Sequence, residues 1–542
     1  MTDIGKSERA TQNRVVQLFC DELGYRYLGD WSDRAGNSNI EEGLLTEYLR
    51  SAGYAPAHIS AALHPLRTEA NHPGRTLLGN NQAVYQLLRY GVPVKTEAGA
   101  VTQTVHLFDW KAPEKNHFAL AEEVTLHGKQ QRRPDLVLYV NGIAIGVLEL
   151  KNSRVSIGEG IRQNLSNQQP AFNAWFFSTV QLVLAGNDSE GLQYGTVGTP
   201  EKFFLTWKED EADNSRFKLD KYLLKLCNKH RLMELMHDFV LFDGGIKKLP
   251  RVHQYFGIKA AQEFVRQRKG GILWHTQGSG KSILMVLLAK WILENHPRAR
   301  VVVITDRDEL DKQIERVFTD AGEAICRTSS GRDLMAQLGQ PTPRLLCSLV
   351  HKFGVTARNA NANANANANA NANANANFDA FIQDLQTQPS ATVGEVFVFV
   401  DECHRTQGGK LNRVMQALMP HAVFIGFTGT PLLKSDQATS LEVFGGYIHT
   451  YKFSEAVQDG VVLDLMYEAR DIDQTLGAQD KIDQWFDAKT KALNDWQKDE
   501  LKKQWGTMQN VLSSKSRMER VVADIIFDFS VKPRLSSERG NA

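Results

Sequence analysis

A chain of 542 residues, 42% hydrophobic and 23% charged, is too long for one ordinary domain and too apolar for a disordered class; at ~150 residues per domain it divides into about three or four. Lys+Arg 63 against Asp+Glu 62 leaves a net charge of +1, so nucleic acid would have to be held by local basic surface and not by a polycation. The apolar runs at 301–304 and 396–400 are strand-length, far below the ~18 residues of a spanning helix. The start has no apolar signal segment. Five scattered cysteines (Cys20, Cys227, Cys326, Cys347, Cys403) with no CxxC pair argue against a disulfide framework or a zinc site, and for a reducing, cytoplasmic setting without a membrane partner.

In chain order, residues 8–29 predict a helix, with Val15, Val16, Leu18, Phe19 and Leu23 at helical spacing and Gly24 as its cap. Helical and strand-like patches alternate over 40–145. Residues 136–140 predict a strand, Asn141-Gly142 a hairpin turn and 143–150 a second strand. A glycine-punctuated loop, a helix from Ser156 and a strand within 176–187 follow. Residues 206–238 are charged and helical, a connector into a second block. There the pattern becomes strand 271–274, helix 281–294, strand 301–304, helix 308–319, then strands 345–349, 396–400 and 422–427. Short apolar strands alternating with helices predict a mostly parallel sheet covered on both faces. After about 458 the chain turns polar and helical, over 480–528, with no further sheet repeat. Residues 359–377 alternate Asn and Ala; without an apolar face the tract predicts no fold, and is either a flexible loop or a stand-in for unidentified residues.

The strand at 271–274 runs into His275-Thr276-Gln277-Gly278-Ser279-Gly280-Lys281-Ser282. Glycines let backbone N–H groups approach phosphate oxygens, and the following helix start adds positive potential. Lys281 can reach the β and γ phosphates, and the Ser282 hydroxyl can hold Mg²⁺. His275 stands where the strict phosphate-loop pattern has glycine. Downstream, the strand at 396–400 ends in Asp401-Glu402-Cys403-His404, placing two acids at the carboxyl edge of the sheet. Asp401 would hold Mg²⁺ and Glu402 would orient or deprotonate an attacking water. The strand at 422–427 ends in Thr428-Gly429-Thr430-Pro431, whose Thr428 and Thr430 hydroxyls could sense the nucleotide. Together these predict ATP and Mg²⁺ as cofactors.

A second constellation lies upstream. Pro134-Asp135 heads one hairpin strand, and Glu149-Leu150-Lys151 ends the other. Alternation puts Glu149 and Lys151 on one face, and the hairpin can bring Asp135 beside them. Asp135 and Glu149 would then hold Mg²⁺ against a phosphodiester, with Lys151 stabilising charge or orienting the water. Basic stretches at Lys129, Arg132 and Arg133, and at Arg266, Arg268 and Lys269, suit either DNA contact or a solvated face.

Lys281, the DECH box and the TGTP turn, in this order, resemble superfamily 2 helicases and translocases. That resemblance implies an adenine contact for Gln254, and DNA-backbone contacts for 304–313 and 348–354. PD…ELK resembles the PD-(D/E)xK nucleases. The two blocks in succession resemble the restriction (R) subunit of type I restriction–modification enzymes, with 444–470 similar to that family's exit from the first motor lobe. The family resemblance places Glu8 near the nuclease metal and Gln163 at its QxxxY glutamine, with Asn167 where the family has tyrosine.

The resulting expectation is an α/β protein. It has a PD-(D/E)xK endonuclease-like domain over 1–215, a helical connector over 216–240, a RecA-like ATP-binding lobe over 241–458, and a helical linker over 459–542. The resemblance implies ATP-driven translocation of double-stranded DNA and Mg²⁺-dependent cleavage remote from the recognition site, with specificity and modification (methyltransferase) subunits as partners. With no second strand series before residue 542, the chain is expected to be the N-terminal portion of a longer motor, binding ATP weakly and translocating nothing. Two other readings fit the same residues: a helicase–nuclease of DNA repair or another restriction type, and a non-nucleolytic DNA remodeller with a docking N-terminal domain.

Overall fold

The computed structural model describes the chain apart from residues 1–7, 98, 100, 210–211, 214, 306–307, 330, 350–391, 404–414, 416–418, 431–443, 466–478, 492, 506–514 and 532–542. The Asn/Ala tract, 350–354, His404, Pro431 and 466–470 thus lie outside the described residues. The rest falls into two compact units, Met1–Val462 and Leu463–Ala542.

The first unit opens on helix α1 (Glu8–Asp21), which buries Val15, Leu18 and Phe19. This helix is shorter than the expected 8–29. Gly24 takes a φ of +66°, a left-handed residue that ends the helical ladder, and the chain turns into strand β1 (Arg26–Asp30). Helices α2 (Glu42–Ser51), α3 (Pro56–Ala70) and α4 (Leu77–Tyr90) follow, then a small hairpin of β2 (Val92–Val94) and β3 (Gln103–Val105). The first large sheet takes β4 (Phe118–Glu122), β5 (Leu136–Val140) and β6 (Ile143–Leu150). Helix α5 (Ile157–Asn167), whose Ser156 cap accepts from the Gly158 N–H, leads on toward β7 (Leu182–Asn187), β8 (Gly191–Gly195) and β9 (Leu205–Thr206). Only 182–187 of the expected strand region is strand, since Ala174–Ser178 coils into a 3-10 turn. The sheet runs β1-β4-β5-β6-β7-β8-β9. β1 with β4 and β6 with β7 are parallel, and the other pairs are antiparallel.

Helices α6 (Lys218–Leu226) and α7 (Lys229–Asp238) lead to a hairpin of β10 (Leu241–Asp243) and β11 (Ile246–Lys248), then to α8 (Val252–Arg266). The second sheet is built from β12 (Gly271–His275), α9 (Lys281–Asn295), β13 (Ala299–Thr305), α10 (Asp308–Asp320), β14 (Cys326–Arg327), α11 (Gly331–Leu338), β15 (Leu345–Leu349), β16 (Glu395–Val400), β17 (Val423–Thr428) and β18 (Tyr447–Tyr451). Its order is β14-β15-β13-β16-β17-β12-β18, and every pairing is parallel. The chain is therefore α/β, and this sheet has the all-parallel form of a RecA-like lobe. The edge strands β14 and β18 were absent from the sequence reading. Helix α12 (Phe453–Gln458) closes the unit.

One apolar core runs through both sheets, with Leu138, Leu148, Leu223, Phe239, Leu273 and Val301 in a single cluster. Residues 216–240, expected as a connector, contribute Leu219, Leu226, Leu232 and Met236 to that core. The second unit contains helices α13 (Gln479–Lys489), α14 (Asp495–Trp505) and α15 (Lys515–Val531). Among the described residues no helix is long and apolar enough to cross a membrane, and all five cysteines are free thiols.

Candidate functional site

The β5–β6 hairpin turns at Asn141-Gly142, both at positive φ (52° and 82°), as an Asn-Gly hairpin turn requires. Strand register then returns the end of β6 to the start of β5, pairing Leu136 with Leu148. The Asp135 carboxylate therefore meets the far end of β6, where its Oδ2 accepts from the Leu150 N–H at 2.7 Å. Glu149 beside it is fully buried. Glu149 Oε1 accepts from Asn167 Nδ2 at 3.5 Å, and its Oε2 has no hydrogen-bond partner. Burial, and then the neighbouring Asp135 carboxylate, hold the Glu149 pKa well above the ordinary carboxylate range. Burial pushes Asp135 up to about 6, against the opposing Leu150 hydrogen bond and Lys151 charge.

Lys151 donates to Glu8 Oε1 at 3.1 Å, so α1 is drawn into the cluster. Burial disfavours the Lys151 ammonium, but Asp135, Glu149 and Glu8 outweigh it and raise its pKa. The group is thus short of positive charge. A buried carboxylate oxygen without a donor is costly; a proton relieves it, and a divalent cation would do so when bound. Asp135 and Glu149 fit Mg²⁺ on that ground. Gln163 is half-buried and hydrogen-bonds to none of these groups.

Gln12, one helical turn after Glu8, was not singled out from sequence. It is buried, and its Nε2 reaches Asp135 O at 3.3 Å, Glu122 Oε2 at 3.2 Å and Glu123 Oε1 at 3.0 Å. Its i, i+4 spacing from Glu8 was the available signal. Arg9 and Arg133 bind the same acids, at 3.3 Å to Glu122 and at 3.3 Å and 2.7 Å to Glu123.

In the second sheet β12 ends in the phosphate loop. Gly278 and Gly280 lie at φ +78° and +88°. A Cβ on Gly280 would stand 2.5 Å from Gln254 Nε2, so glycine is needed there twice over. Lys281 opens α9, its Nζ 3.6 Å from Glu402 Oε1. Parallel strands bring Asp401 and Glu402, at the end of β16, and Thr428-Gly429-Thr430, at the end of β17, to the same edge. A Cβ on Gly429 would lie 2.8 Å from both Lys281 Nζ and Gln277 Cγ, so this turn touches the phosphate loop. Thr428 Oγ1 accepts from the Thr430 N–H at 3.2 Å. Two carboxylates beside a lysine and a glycine loop fit a magnesium–nucleotide pair by donor chemistry. Thr276 and Ser279 are buried, while Ser282 is half-buried at the helix start.

Gln254 spends its amide on the main chain. Its Oε1 accepts from the Arg251 N–H at 2.9 Å, and its Nε2 donates to Ser279 O and Gly280 O at 3.1 and 3.3 Å. It ties α8 to the phosphate loop. His275 points away from any phosphate position: its Nε2 lies 2.9 Å from His449 Nδ1. Burial, then His253 and His449, push the His275 pKa down to about 2. Arg266, Arg268 and Lys269 precede β12 and so sit at the edge opposite the phosphate loop. Arg266 pairs with Glu263 and Arg268 with Glu395, at 3.4 and 3.0 Å.

The fold and these sites define a protein that joins a buried carboxylate–lysine cluster on a mixed sheet to a phosphate-loop lobe of RecA-like form. Residues 5–202 match the family model of the type I restriction enzyme R protein N terminus. Residues 253–499 match that of the SWI2/SNF2 ATPase. In the order of these two domains the chain resembles the R proteins of type I restriction enzymes. It is 26% identical over 85% of its length to the putative type I restriction enzyme MjaIXP endonuclease subunit of Methanocaldococcus jannaschii, covering 45% of that protein. It is 27% identical over 72% of its length to the type I restriction enzyme HindI endonuclease subunit of Haemophilus influenzae, covering 39% of it. The chain thus spans less than half the length of these relatives.

Proposed function

We propose that this chain works in a type I restriction enzyme as the subunit that moves and cuts double-stranded DNA: ATP-driven translocation, and Mg²⁺-dependent phosphodiester hydrolysis remote from the recognition site. On this reading it acts in the cytoplasm, with modification and specificity subunits as partners. The observation that carries it is the convergence of Asp135, Glu149 and Lys151 at one hairpin end, in the same compact unit as Lys281 facing Glu402.

In the cutting site Asp135 and Glu149 hold the cation, and Glu8 keeps Lys151 in place. Bound magnesium would supply Lewis-acid polarisation of the phosphodiester and a lowered pKa for water. Lys151 stabilises the charge that develops on phosphate oxygens or orients the attacking water. Gln163, at the family's glutamine position, is assigned no step. In the motor site the backbone N–H groups of Gln277, Gly278 and Gly280 cradle phosphates, while Thr276 and Ser279 shape the loop by donating their N–H groups to Tyr451 O and Thr276 O. Lys281 neutralises their charge, Ser282 and Asp401 hold the metal, and Glu402 positions the water. Gln254 fixes the loop and has one Oε1 lone pair left for the base. Thr428 and Thr430 report the nucleotide state to the neighbouring turn.

The test uses the full-length R protein assembled with its partner subunits. D135A and K151A should abolish DNA cleavage while ATP hydrolysis stays within about twofold of wild type. K281A should abolish ATP hydrolysis and, with it, cleavage that depends on translocation. Unchanged cleavage in D135A would sink the nuclease assignment.

A further inference from the structure

We infer that Asn167 is a positioning residue for Glu149: its amide aims that carboxylate at the divalent cation. The inference rests on the nuclease reading above and adds a residue that the reading does not use.

Helix α5 packs directly on the cluster. A Cβ built on Gly160 would lie 3.5 Å from Glu149 Cβ and 3.5 Å from Lys151 Cγ. Further along the same face come Asn164 and Asn167, at i+4 and i+7, both buried. A helix face turned to a β-sheet ordinarily carries aliphatic side chains, because a buried amide must find partners for both its ends. Asn164 satisfies its Nδ2 on Leu184 O at 3.0 Å. Asn167 reaches Glu149 Oε1 at 3.5 Å, and its backbone carbonyl accepts from the Asn173 N–H at 3.1 Å.

Several buried polar groups of β6, this helix and the loop after it have no hydrogen-bond partner: Glu149 Oε2, Asn164 Oδ1, Asn167 Oδ1 and both amide atoms of Asn173. All but one are acceptor oxygens. A packing role for Asn167 does not account for this, since an apolar side chain on this face would fill space and leave no orphan amide oxygen. Donation to Glu149 does account for it. With Oε1 engaged, rotation of the carboxylate is restrained and Oε2 is left for a ligand. Glu149 lies within hydrogen-bonding reach of the Asp135 carboxyl, and a divalent cation is the group that serves both carboxylates at once. Where the family resemblance has tyrosine, this chain retains a side chain able to donate a hydrogen bond.

The experiment is calorimetric titration of Mn²⁺ into the nucleotide-free chain, comparing wild type with N167L, N167A and D135A. Partners that orient a metal ligand typically matter 10–100-fold in affinity. N167L and N167A should each weaken Mn²⁺ binding about tenfold or more, while both keep a cooperative melting transition in EDTA. In the full assembly, both variants should need correspondingly more Mg²⁺ for half-maximal cleavage, with the rate recovering at saturating metal. If both bind Mn²⁺ like wild type while D135A loses the signal, Asn167 does not position Glu149 and the nuclease reading stands. If D135A keeps the Mn²⁺ signal and cleavage, or wild type shows no Mn²⁺ binding, the nuclease reading falls and takes this inference with it.

Discussion

At the scale of single residues, the carboxylate cluster costs stability, which on the proposed reading a bound metal returns. Two acids side by side in a buried site cannot both ionise cheaply. Asp135 rises to about 6 and Glu149 rises as well. The linkage has one sign. With the folded pKa above the unfolded one, the stabilising contribution is complete below the ordinary aspartate pKa of 3.8 and is lost as pH rises through about 6. The metal-free chain should therefore lose stability between pH 4 and 7 by roughly 1 to 3 kcal/mol from this pair. D135N or E149Q should flatten that slope and raise the melting temperature at pH 7.5 in EDTA. Denaturation midpoints in chelator across this range check it; a wild-type slope in both variants would remove the pair as its cause. Asp135, Glu149 and Lys151 were legible beforehand because strand alternation and an Asn-Gly turn specify their neighbours. Gln12 and Asn167 were not, since each acts across more than a hundred residues or from a helix whose buried face looks polar in sequence.

At the scale of elements, glycine placement decides the motor edge. His275 occupies the first-glycine position without blocking the loop because its ring turns toward His449 and packs beside Gly257, where a Cβ would come within 3.0 Å of its ring. Gly429 is the tighter constraint. A methyl group there meets Lys281 Nζ and Gln277 Cγ at 2.8 Å. Lys281 Nζ is the end of a flexible chain, so the fold can yield, but only by moving the ammonium that the proposed reading sets against phosphate. G429A should leave the melting temperature within about a degree of wild type. It should lower ATP turnover tenfold or more, since misplacement on the order of 1 Å can cost 10²-fold. Normal turnover in a phosphate-release assay would show the turn to be a bystander. Glu402 adds strain on the same edge, at a φ of +46°, a conformation that costs a non-glycine residue about 1 kcal/mol or more. The alternating strands and helices of this lobe were readable as pattern. The edge strands β14 and β18 were not, since one spans only Cys326–Arg327 and the other, Tyr447–Tyr451, carries a mixed burial pattern.

Across the whole first unit, the nuclease-like and motor sheets are not beads on a string. Their cores are continuous, and polar bolts cross between them. Arg89 on α4, almost fully buried, pairs with Glu294 on α9 at 2.5 Å. Lys247 on β11 donates to Asn81 and Gln181 at 2.8 and 2.6 Å, and Tyr194 donates to Pro250 O at 2.6 Å. Breaking a buried pair by removing one partner is costly, less so where the survivor is partly wet, as Glu294 is. R89A should therefore cost roughly 2 kcal/mol and expose the α6–α7 region to protease. Limited proteolysis with thermal melting checks this, and an unchanged digestion pattern would mean the apolar core alone holds the sheets together. What the sequence determined by itself was local: strand period, turn chemistry, the glycine loop and the acids that end strands, all set by neighbours a few residues apart. What only the tertiary structure decided was which distant groups share one buried space. Glu8 with Lys151, Asn167 with Glu149, and Gly429 with Lys281 meet through packing across sheets and helices, and no spacing along the chain encodes those distances.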